Sequence, residues 1–395
     1  MSRGPTRITM FRSLLLASFV STLAASRMAT AEIAVSSNDH KVTLDNGAVK
    51  VVRNPPPDTL TVIDLKHSPP KVIGEVKAPG SVIGPPVSVA ITPDESLALV
   101  ASAMKIDPAD PTKQTADNRM SVVDLSATPP KVIAQLETGK QPSGLSINRQ
   151  GTLALVANRG DGTVSVFGIS GKTVTPAGKV TLGDDKAGVS HVAITPDGKT
   201  ALATRDGDHM ISVLSIGENN KVEYTKRDIS AGLKPYAIDI HPDGNIAVVG
   251  NNGRASGDMD TISVIDLKAA PPRVISTWNV GQTPEGVLFS PDGKLCAITL
   301  MNGSNKPKDS PFYGEKAKLL LYRVEGTQLV PATAAWIGRW AQGIAFSSDS
   351  RTILVQNMVE KEIWVLQWDG TVLKDTRQRI KTNGGPAAIR TASKR

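Results

Sequence analysis

The stretch Val192-Ala-Ile-Thr-Pro-Asp-Gly198 decides the fold of this chain, because close copies of it return along most of the sequence. Each copy joins a short apolar strand to a turn in which Pro presets φ and Gly accepts a positive φ. The clearest other copies are Ile238-Asp-Ile-His-Pro-Asp-Gly244 and Val287-Leu-Phe-Ser-Pro-Asp-Gly293. Weaker copies end at Glu95, Gly151 and Ser350, and the weakest is Leu44-Asp-Asn-Gly47.

The spacing of these seven turns indicates a repeat architecture. Successive turns, at positions 47, 95, 151, 198, 244, 293 and 350, lie 46 to 57 residues apart. A period of about 40–50 residues with short apolar strands is typical of a β-propeller, in which each repeat forms one sheet. The sequence therefore predicts an all-β, seven-bladed propeller over residues 32–395, with four antiparallel strands in each blade.

The last residues of the chain provide a way to close the ring of blades. The segment Gly384-Gly-Pro-Ala-Ala-Ile-Arg390 resembles the start of an innermost strand, and no turn follows it. We expect it to be the innermost strand of the first blade, whose other strands begin the mature chain. The alternative is a frayed tail, which is common at chain ends.

The first thirty-one residues predict a cleavable secretory signal peptide. Three arginines precede the apolar run 14–25, and Ala29-Thr-Ala31 fits the small-residue cleavage rule. The run is shorter than the roughly 20 residues that span a bilayer. We therefore expect residues 1–31 to be removed and the product to be periplasmic or secreted, with no integral membrane segment. A single membrane anchor is the alternative.

Composition narrows the class of protein further. The formal net charge of +8 becomes +4 without the four leader arginines, since that segment holds no acid. The remaining charges are interspersed, so nucleic acid is not an expected partner. The chain has one cysteine, Cys296, within an apolar strand. It cannot form an internal disulfide, and we expect it to be a small core residue.

The stretch Leu153-Ala-Leu-Val-Ala-Asn-Arg-Gly-Asp-Gly-Thr-Val-Ser-Val166 resembles the repeat of YVTN-type bacterial propellers. These exported propellers are similar to the surface-layer-like repeats and to the seven-bladed lactonases. The resemblance covers essentially the whole mature chain and implies the propeller fold, but its residues determine fold rather than activity.

The lactonase-like propellers imply a set of catalytic candidates. In that group, His, Glu and Arg near the central channel bind a ring ester and activate water. Here His191, Glu285 and Arg205 are the catalytic candidates, and Arg339 occupies a similar region as a ligand-binding candidate. Ser190 stands where an arginine is often found. Channel residues of these types also bind anions or water without catalysis.

Two sets of repeat-equivalent positions could line the channel. Alignment on the turns places seven residues at the ends of the second strands: Asn54, Ser102, Asn158, Arg205, Asn251, Leu300 and Asn357. The asparagines are candidate ligand-binding residues, although Asn also caps turns by bonding its own backbone. The mouths of the innermost strands carry Val87, Ser143, Ser190, Tyr236, Glu285 and Gln342, of which Tyr236 and Gln342 are further candidates for ligand binding.

Three connecting segments are longer than the repeat requires, and long loops on a regular scaffold usually serve binding. They are residues 103–119, 252–260 and 302–316. Three aspartates in or near the first segment lack the spacing of a dedicated calcium loop. We find no haem-attachment, zinc, phosphate-loop or nucleophile-elbow motif, so no metal site and no cofactor is predicted.

These observations favour one function and leave two others open. The leading hypothesis is an exported propeller that binds a partner protein or small ligand through its loop-rich face. The second is a hydrolase of lactones or related esters, which requires His191, Glu285 and Arg205 to converge in one pocket. The third is an accessory role beside a periplasmic redox enzyme.

Overall fold

The computed structural model describes residues 1, 2, 4 and 32–392, and residues 32–392 form seven four-stranded sheets. The fold prediction is confirmed: each sheet is antiparallel and forms one blade of a propeller. The predicted signal peptide lies outside the described residues, apart from positions 1, 2 and 4. Within the described residues, no helix is both long and apolar enough to cross a membrane.

The strands follow one another in chain order with little other structure between them. Blade one and its insertion hold β1 (Ile33–Asp39), β2 (Val42–Asp45), β3 (Ala48–Val51), β4 (Thr59–Asp64) and β5 (Lys71–Lys77). Blades two and three hold β6 (Val89–Ile91), β7 (Leu97–Ile106), β8 (Gln114–Asp124), β9 (Lys131–Glu137), β10 (Pro142–Ile147), β11 (Leu153–Asn158), β12 (Thr163–Ser170) and β13 (Thr173–Thr181).

Blades four to seven repeat the same arrangement. Blades four and five hold β14 (Val189–Ile194), β15 (Thr200–Arg205), β16 (Met210–Ile216), β17 (Val222–Ser230), β18 (Pro235–Ile240), β19 (Ile246–Asn251), β20 (Asp260–Asp266) and β21 (Arg273–Gly281). Blades six and seven hold β22 (Pro284–Phe289), β23 (Leu295–Leu300), β24 (Lys318–Glu325), β25 (Gln328–Trp336), β26 (Ala341–Phe346), β27 (Thr352–Asn357), β28 (Glu362–Trp368) and β29 (Leu373–Lys381). The last strand is β30 (Gly385–Thr391), and a short 3₁₀ turn spans Glu218–Asn220.

The ring closes through strands from opposite ends of the chain. The first blade has the order β30-β1-β4-β5, so its innermost strand comes from the C-terminal end. β30 pairs with β1 in an antiparallel ladder that runs from Ala34 opposite Thr391 to Asp39 opposite Gly385. The predicted closure by the terminal segment is therefore confirmed.

The repeated turn links the innermost and second strands of blades two to seven. In blade four, the Thr195 hydroxyl donates to Asp197 Oδ1 at 2.6 Å, and the Gly198 amide donates to the Thr195 carbonyl at 2.8 Å. Gly198 has a φ of 70°, the left-handed conformation that glycine tolerates best. Two of the weaker copies keep this conformation without glycine, since φ is 58° at Glu95 and 63° at Ser350.

The weakest copy is not a blade turn, and this corrects one site prediction. Gly47 belongs to the hairpin of β2 and β3, which is inserted between the second and third strands of blade one. Blade one has no turn of the repeated kind because β30 and β1 are far apart in sequence. Alignment on Gly47 therefore misplaced Asn54, which lies in an exposed segment after β3. The true equivalent is Asn38, which pairs with Thr59.

Asparagines at the ends of second strands hold the third strand of the same blade. Asn158 Nδ2 donates to Thr163 Oγ1 at 2.9 Å and to Ser165 Oγ at 3.0 Å, while its Oδ1 accepts from the Gly139 amide. Asn38 and Asn251 make the same pair of bonds to hydroxyls on their own third strands. These amides are fully buried, and each stabilises a blade.

We call the side on which the innermost strands begin the upper face, and the side with the repeated turns the lower face. All three long segments lie on the upper face, but residues 103–119 are mostly a hairpin rather than a loop. β7 and β8 extend it through the pairs Met104 with Ala116 and Ile106 with Gln114. Residues 302–316 are a loop that reaches blade five and the insertion of blade one: Phe312 lies against Gly257, and Lys308 N donates to Asn46 Oδ1 at 3.0 Å.

Apolar side chains fill the spaces between adjacent sheets. Cys296 is fully buried there, packed with residues of blades five and six. Burial raises the pKa of its thiol well above the ordinary value. Cys296 is therefore a core residue, as predicted, and not an activated nucleophile.

We expect Asn158→Ala to lower the free energy of unfolding by about 1–3 kcal/mol, because it removes two donated hydrogen bonds and the acceptor of the Gly139 amide. Asn54→Gly, which suits the positive φ of that residue, should cost less than about 1 kcal/mol. Urea denaturation of the two variants and the wild type measures the difference. Equal losses at the two positions would contradict the structural role assigned to Asn158.

Candidate functional site

A ring of mostly polar residues lines the upper part of the central channel. It consists of the second residue of five innermost strands, which we call the upper polar ring: Ser143, Ser190, Tyr236, Glu285 and Gln342. The sequence placed these residues at one level, and strand positions in β10, β14, β18, β22 and β26 agree. Their side chains are mostly buried.

An arginine that the sequence analysis did not select organises this ring. Arg159 Nη1 lies 2.9 Å from Asp206 Oδ2 and donates to Ser190 Oγ at 2.8 Å. Its guanidinium carbon lies 5.8 Å from the centroid of the Tyr236 ring. Arg159 directly follows Asn158, so the backbone alternation of the strand end turns it towards the next blade.

Glu285 is the one carboxyl group of the upper polar ring. Only 3% of it is exposed, and its Oε2 accepts from Asn252 Nδ2 at 3.2 Å. Burial raises the pKa of the Glu285 carboxyl to about 8, and the Asn252 hydrogen bond and the Arg159 charge only partly oppose this. Glu285 is therefore protonated at neutral pH. Burial also raises the pKa of the Tyr236 hydroxyl well above its usual value.

Two members of the upper polar ring have free hydrogen-bonding capacity. Both amide atoms of Gln342 and the hydroxyl of Ser143 are buried and make no hydrogen bond to residues 32–392. Buried polar groups without partners cost free energy. The upper polar ring is thus able to donate to and accept from a small polar guest or water.

The loop that joins blade one to blade two lies over the upper polar ring. We call residues 79–88 the crossing loop. Side chains added at Gly84 would collide with Ser143 of blade three, and Pro86 lies beside Gly286 of blade six and Gly343 of blade seven. The crossing loop therefore reaches across the channel axis, and its Pro86 lies beside the residue that follows Glu285.

A buried ion-pair network anchors the crossing loop. Lys41 Nζ lies 2.5 Å from Asp58 Oδ2 and 3.0 Å from Asp39 Oδ1, and it donates to the Gly80 carbonyl at 2.6 Å. Asp39 Oδ2 also accepts from the Val82 amide at 2.9 Å. These bonds fix the base of the crossing loop to blade one.

The three catalytic candidates do not come together. His191 is the residue after Ser190, but its ring lines a separate cavity in the lower channel, and Glu285 is not among the residues of that cavity. His191 Nδ1 accepts from the Ile238 amide at 3.2 Å, and burial, with a smaller effect of Arg390, lowers its pKa well below the ordinary value. The imidazole is therefore neutral at physiological pH.

Both arginine candidates are held in ion pairs away from the channel. Arg205 pairs with Asp208, in the turn that follows β15, and with Asp228 on the fourth strand of blade four. It replaces the structural asparagine of the other blades and donates to Ser212. Arg339 pairs with Glu360 at 2.8 Å on an exposed part of the upper face.

Three of the four asparagine candidates have structural roles within their own blades, and the fourth is exposed. Asn158 and Asn251 are bound to their third strands, and Asn357 donates to the Val355 carbonyl at 3.2 Å. All three are buried within a blade, whereas Asn54 is exposed and far from the second-strand ends. Of the candidate ligand-binding residues, Tyr236 and Gln342 belong to the upper polar ring.

Five charged or polar channel residues were not predicted from the sequence: Arg159, Asp206, Asn252, Asp239 and Arg390. Comparison of equivalent positions in the repeats could have identified Asp239 and Arg390, because the equivalent position of the innermost strand is small or apolar in the other blades. Among residues 32–392, no group of three or more His, Cys, Asp or Glu side chains is placed to hold a metal ion. The chemistry available at the upper polar ring is hydrogen bonding by a neutral acid and an arginine.

Solved structures of other proteins share this fold. A periplasmic gluconolactonase of Pseudomonas aeruginosa matches with a TM-score of 0.65 and 18% identity over 92% of this chain and 99% of that one. A hydrazine synthase chain of Kuenenia stuttgartiensis matches with a TM-score of 0.61 and 19% identity over 79% and 91% of the two chains. A protein of unknown function from Desulfotomaculum acetoxidans has a TM-score of 0.66 and 14% identity over 92% and 100%.

Sequence comparison is more specific than these structural likenesses, which at such identity establish the fold alone. No curated protein sequence matches this chain. Residues 39–269, more than half of the chain, match the profile of the choice-of-anchor I domain. This propeller therefore belongs to the choice-of-anchor I family.

Proposed function

We propose that this protein is an exported propeller that binds a partner protein through its upper face. The supporting observation is a set of exposed, large apolar side chains on the inserted and connecting segments of that face: Val49, Ile83, Leu233, Met259 and Phe312. Other exposed apolar side chains lie mainly on the outermost strands, whereas these five lie on connecting and inserted segments, and exposed apolar side chains that lie close together favour a protein interaction site. The loops that carry Met259 and Phe312 also touch one another, through Gly257.

The rigidity of the upper face supports the same proposal. The extension of β7 and β8 projects from blade two as a paired hairpin, and the loop of residues 302–316 bridges blades five and one. Segments that are already ordered lose little conformational entropy on binding. The upper face thus has the features of a preformed docking surface.

Export is part of the proposal and rests on two observations. The first thirty-one residues have the pattern of a signal peptide. One protein with the same fold is a periplasmic gluconolactonase. A partner that is itself a periplasmic redox enzyme is a narrower alternative, for which the support is the shared fold with the hydrazine synthase chain.

A lactone hydrolase is the second candidate, and it would depend on Glu285 rather than on the three residues chosen from the sequence. A general base works best when its pKa lies near the working pH, and Glu285 meets this condition. Arg159 and Tyr236 lie near it and could bind a polarised carbonyl oxygen. Against this, the crossing loop covers Glu285, and a substrate would have to displace it.

The first prediction of this proposal concerns capture by the upper face. In the first variant, Asn-Gly replaces residues 107–113, so that a two-residue turn joins β7 to β8. In the second variant, Met259→Ser and Phe312→Ser together remove two exposed apolar side chains. Each variant should retain at most about a fifth of the partner that the wild type captures from periplasmic extract, because interface energy concentrates in a few large side chains. Thermal unfolding should stay within about 3 °C of wild type.

The matched control for this experiment is Val372→Ser on the lower face. Val372 is 47% exposed and Phe312 is 42% exposed, so the two positions lose similar apolar surface. Val372→Ser should capture the same partner as the wild type, identified by mass spectrometry after cross-linking. Equal capture by all variants, or an equal loss in the control, would count against the upper face.

The second prediction concerns the protonation of Glu285. Because its pKa is about 8 in the folded state and near 4.5 ordinarily, the native protein binds more protons than the unfolded chain between these values. The free energy of unfolding should therefore fall as pH rises from about 4.5 to about 8, by up to about 1.4 kcal/mol per pH unit from this group. Urea denaturation at several pH values gives the free energy of unfolding as a function of pH. This free energy should fall less steeply with pH in Glu285→Gln than in the wild type, and an identical pH dependence would refute the assignment.

The third prediction separates binding from hydrolysis. Purified protein incubated with a panel of five- and six-membered lactones should release no acid above the rate of the buffer, because Glu285 is covered and His191 belongs to a different cavity. His191→Ala and Glu285→Gln should therefore leave the signal unchanged. Turnover that disappears in Glu285→Gln, with thermal unfolding intact, would place hydrolysis ahead of partner binding.

A further inference from the structure

A cavity of about 430 Å³ occupies the lower part of the central channel. It extends from His191 down to Pro196, Pro242 and Pro291, which belong to the turns of the lower face. Its volume falls in the range of small-molecule sites, about 300–1,000 Å³. Because the upper polar ring and the crossing loop lie above His191, the lower face is the side from which this cavity is reached.

Two opposite charges occupy one level of the cavity wall. Arg390 follows Ile389 on β30, and Asp239 follows Ile238 on β18; the strand pairings place both at the same position of their blades. The other cavity residues of this level are small or apolar: Ala90, Ser146, Ala193 and Leu288. Blades one and five lie on different sides of the seven-membered ring, so the two charges face each other across the channel.

Arg390 makes no close polar contact. Within residues 32–392, its guanidinium makes no hydrogen bond and no ion pair, although the residue is half-buried and is attracted by Asp239 across the channel. Arginine remains charged in proteins, and a charge held away from water is costly unless it is paired. An anion in the cavity would satisfy the five donors of this side chain.

Asp239, by contrast, is already engaged. Its Oδ2 accepts from the Phe289 amide of the next blade at 2.7 Å. Asp239 attracts Arg390 across the channel but makes no hydrogen bond to it, so the donors of the guanidinium stay unbonded. A negative charge on Asp239 opposes a ligand with several negative charges. The pair selects a ligand that carries one negative charge.

Two further basic residues line the cavity, and the Ser146 hydroxyl, which makes no hydrogen bond to residues 32–392, can donate or accept. His191 Nδ1 accepts from the Ile238 amide, which leaves Nε2 with the proton and able to donate. Arg149 Nη2 donates to the Pro242 carbonyl at 2.6 Å, at the lower end of the cavity. His191 and Arg149 could each donate a hydrogen bond to a carboxylate, and each already makes a hydrogen bond without one.

Apolar side chains form the rest of the wall. They include Ile91, Ile147, Ile194, Ile240, Phe289 and Phe346. An inorganic anion would leave this surface exposed to water, whereas an organic ligand would cover it. The cavity therefore combines two arginines with a predominantly apolar wall: Arg390, whose guanidinium makes no hydrogen bond to residues 32–392, and Arg149, which is bonded to a carbonyl.

We propose that the lower cavity binds a small organic monocarboxylate, with its carboxylate paired to Arg390 and its apolar body against the isoleucine and phenylalanine wall. The site is independent of the proposed partner surface, since it opens on the opposite face. Failure of the capture experiment would therefore leave this proposal standing, and the reverse also holds.

Isothermal titration calorimetry with three probes tests the proposal on the full chain. The probes are 2-naphthoate, its neutral counterpart 2-naphthamide, and inorganic phosphate. 2-Naphthoate should bind at least about tenfold more tightly than 2-naphthamide, because a charge-assisted hydrogen bond to a buried guanidinium is lost in the amide. Phosphate should not displace 2-naphthoate at equal concentration.

Two variants assign the site. Arg390→Gln should weaken 2-naphthoate binding by about ten- to a hundredfold and leave 2-naphthamide nearly unchanged. Ser146→Phe fills the cavity at the same level and should abolish binding of both probes; the Ser146 hydroxyl makes no hydrogen bond to residues 32–392, so its loss leaves no group unpaired. The matched control is Arg339→Gln, which removes an arginine from the upper face and should bind like the wild type.

Three results would overturn the proposal. The first is equal affinity for 2-naphthoate and 2-naphthamide, or no binding of either. The second is wild-type affinity in Arg390→Gln or in Ser146→Phe when both variants unfold at the wild-type temperature. The third is displacement by phosphate at equal concentration, which would indicate a site for inorganic anions instead.

Discussion

The pairing of β30 with β1 is the contact on which the rest of the structure depends. Six blades are built from consecutive strands, but the first blade exists only when the two ends of the described chain meet. A ring of sheets has a channel of fixed width only after it closes, and closure holds the innermost strands around one axis. The upper polar ring and the cavity below it are therefore products of one long-range strand pairing.

The fold could be predicted because its determinants are local. Thr195, Asp197 and Gly198 make their turn with bonds that span a few residues, and six such turns phase the blades. The one error, Asn54, arose where this local rule does not apply, because no turn joins the first two strands of blade one. Asn38 could have been found from its Thr59 and Thr61 partners, which repeat the spacing seen after Asn158.

The site was less predictable because side chains of adjacent blades decide it. Arg205 was a reasonable candidate by type, yet Asp208 and Asp228 hold it along its own blade. Arg159 is next to a structural asparagine and had no distinguishing pattern, yet it reaches Ser190 on the following blade. Sequence position gave the level of Glu285 and Tyr236 in the channel correctly, since level depends on strand register alone. It could not show that a loop from another blade covers them.

The crossing loop lies across one end of the central channel, whereas the lower end carries the cavity that contains His191. Several contacts of residues 79–88 reach blades on the far side of the axis, so this loop lies across the upper end of the channel. Substitutions among the upper insertions can then alter what docks there without changing the floor of the molecule, and the reverse is equally true. A single scaffold with a partition of this kind can acquire two recognition properties separately, each under its own selection.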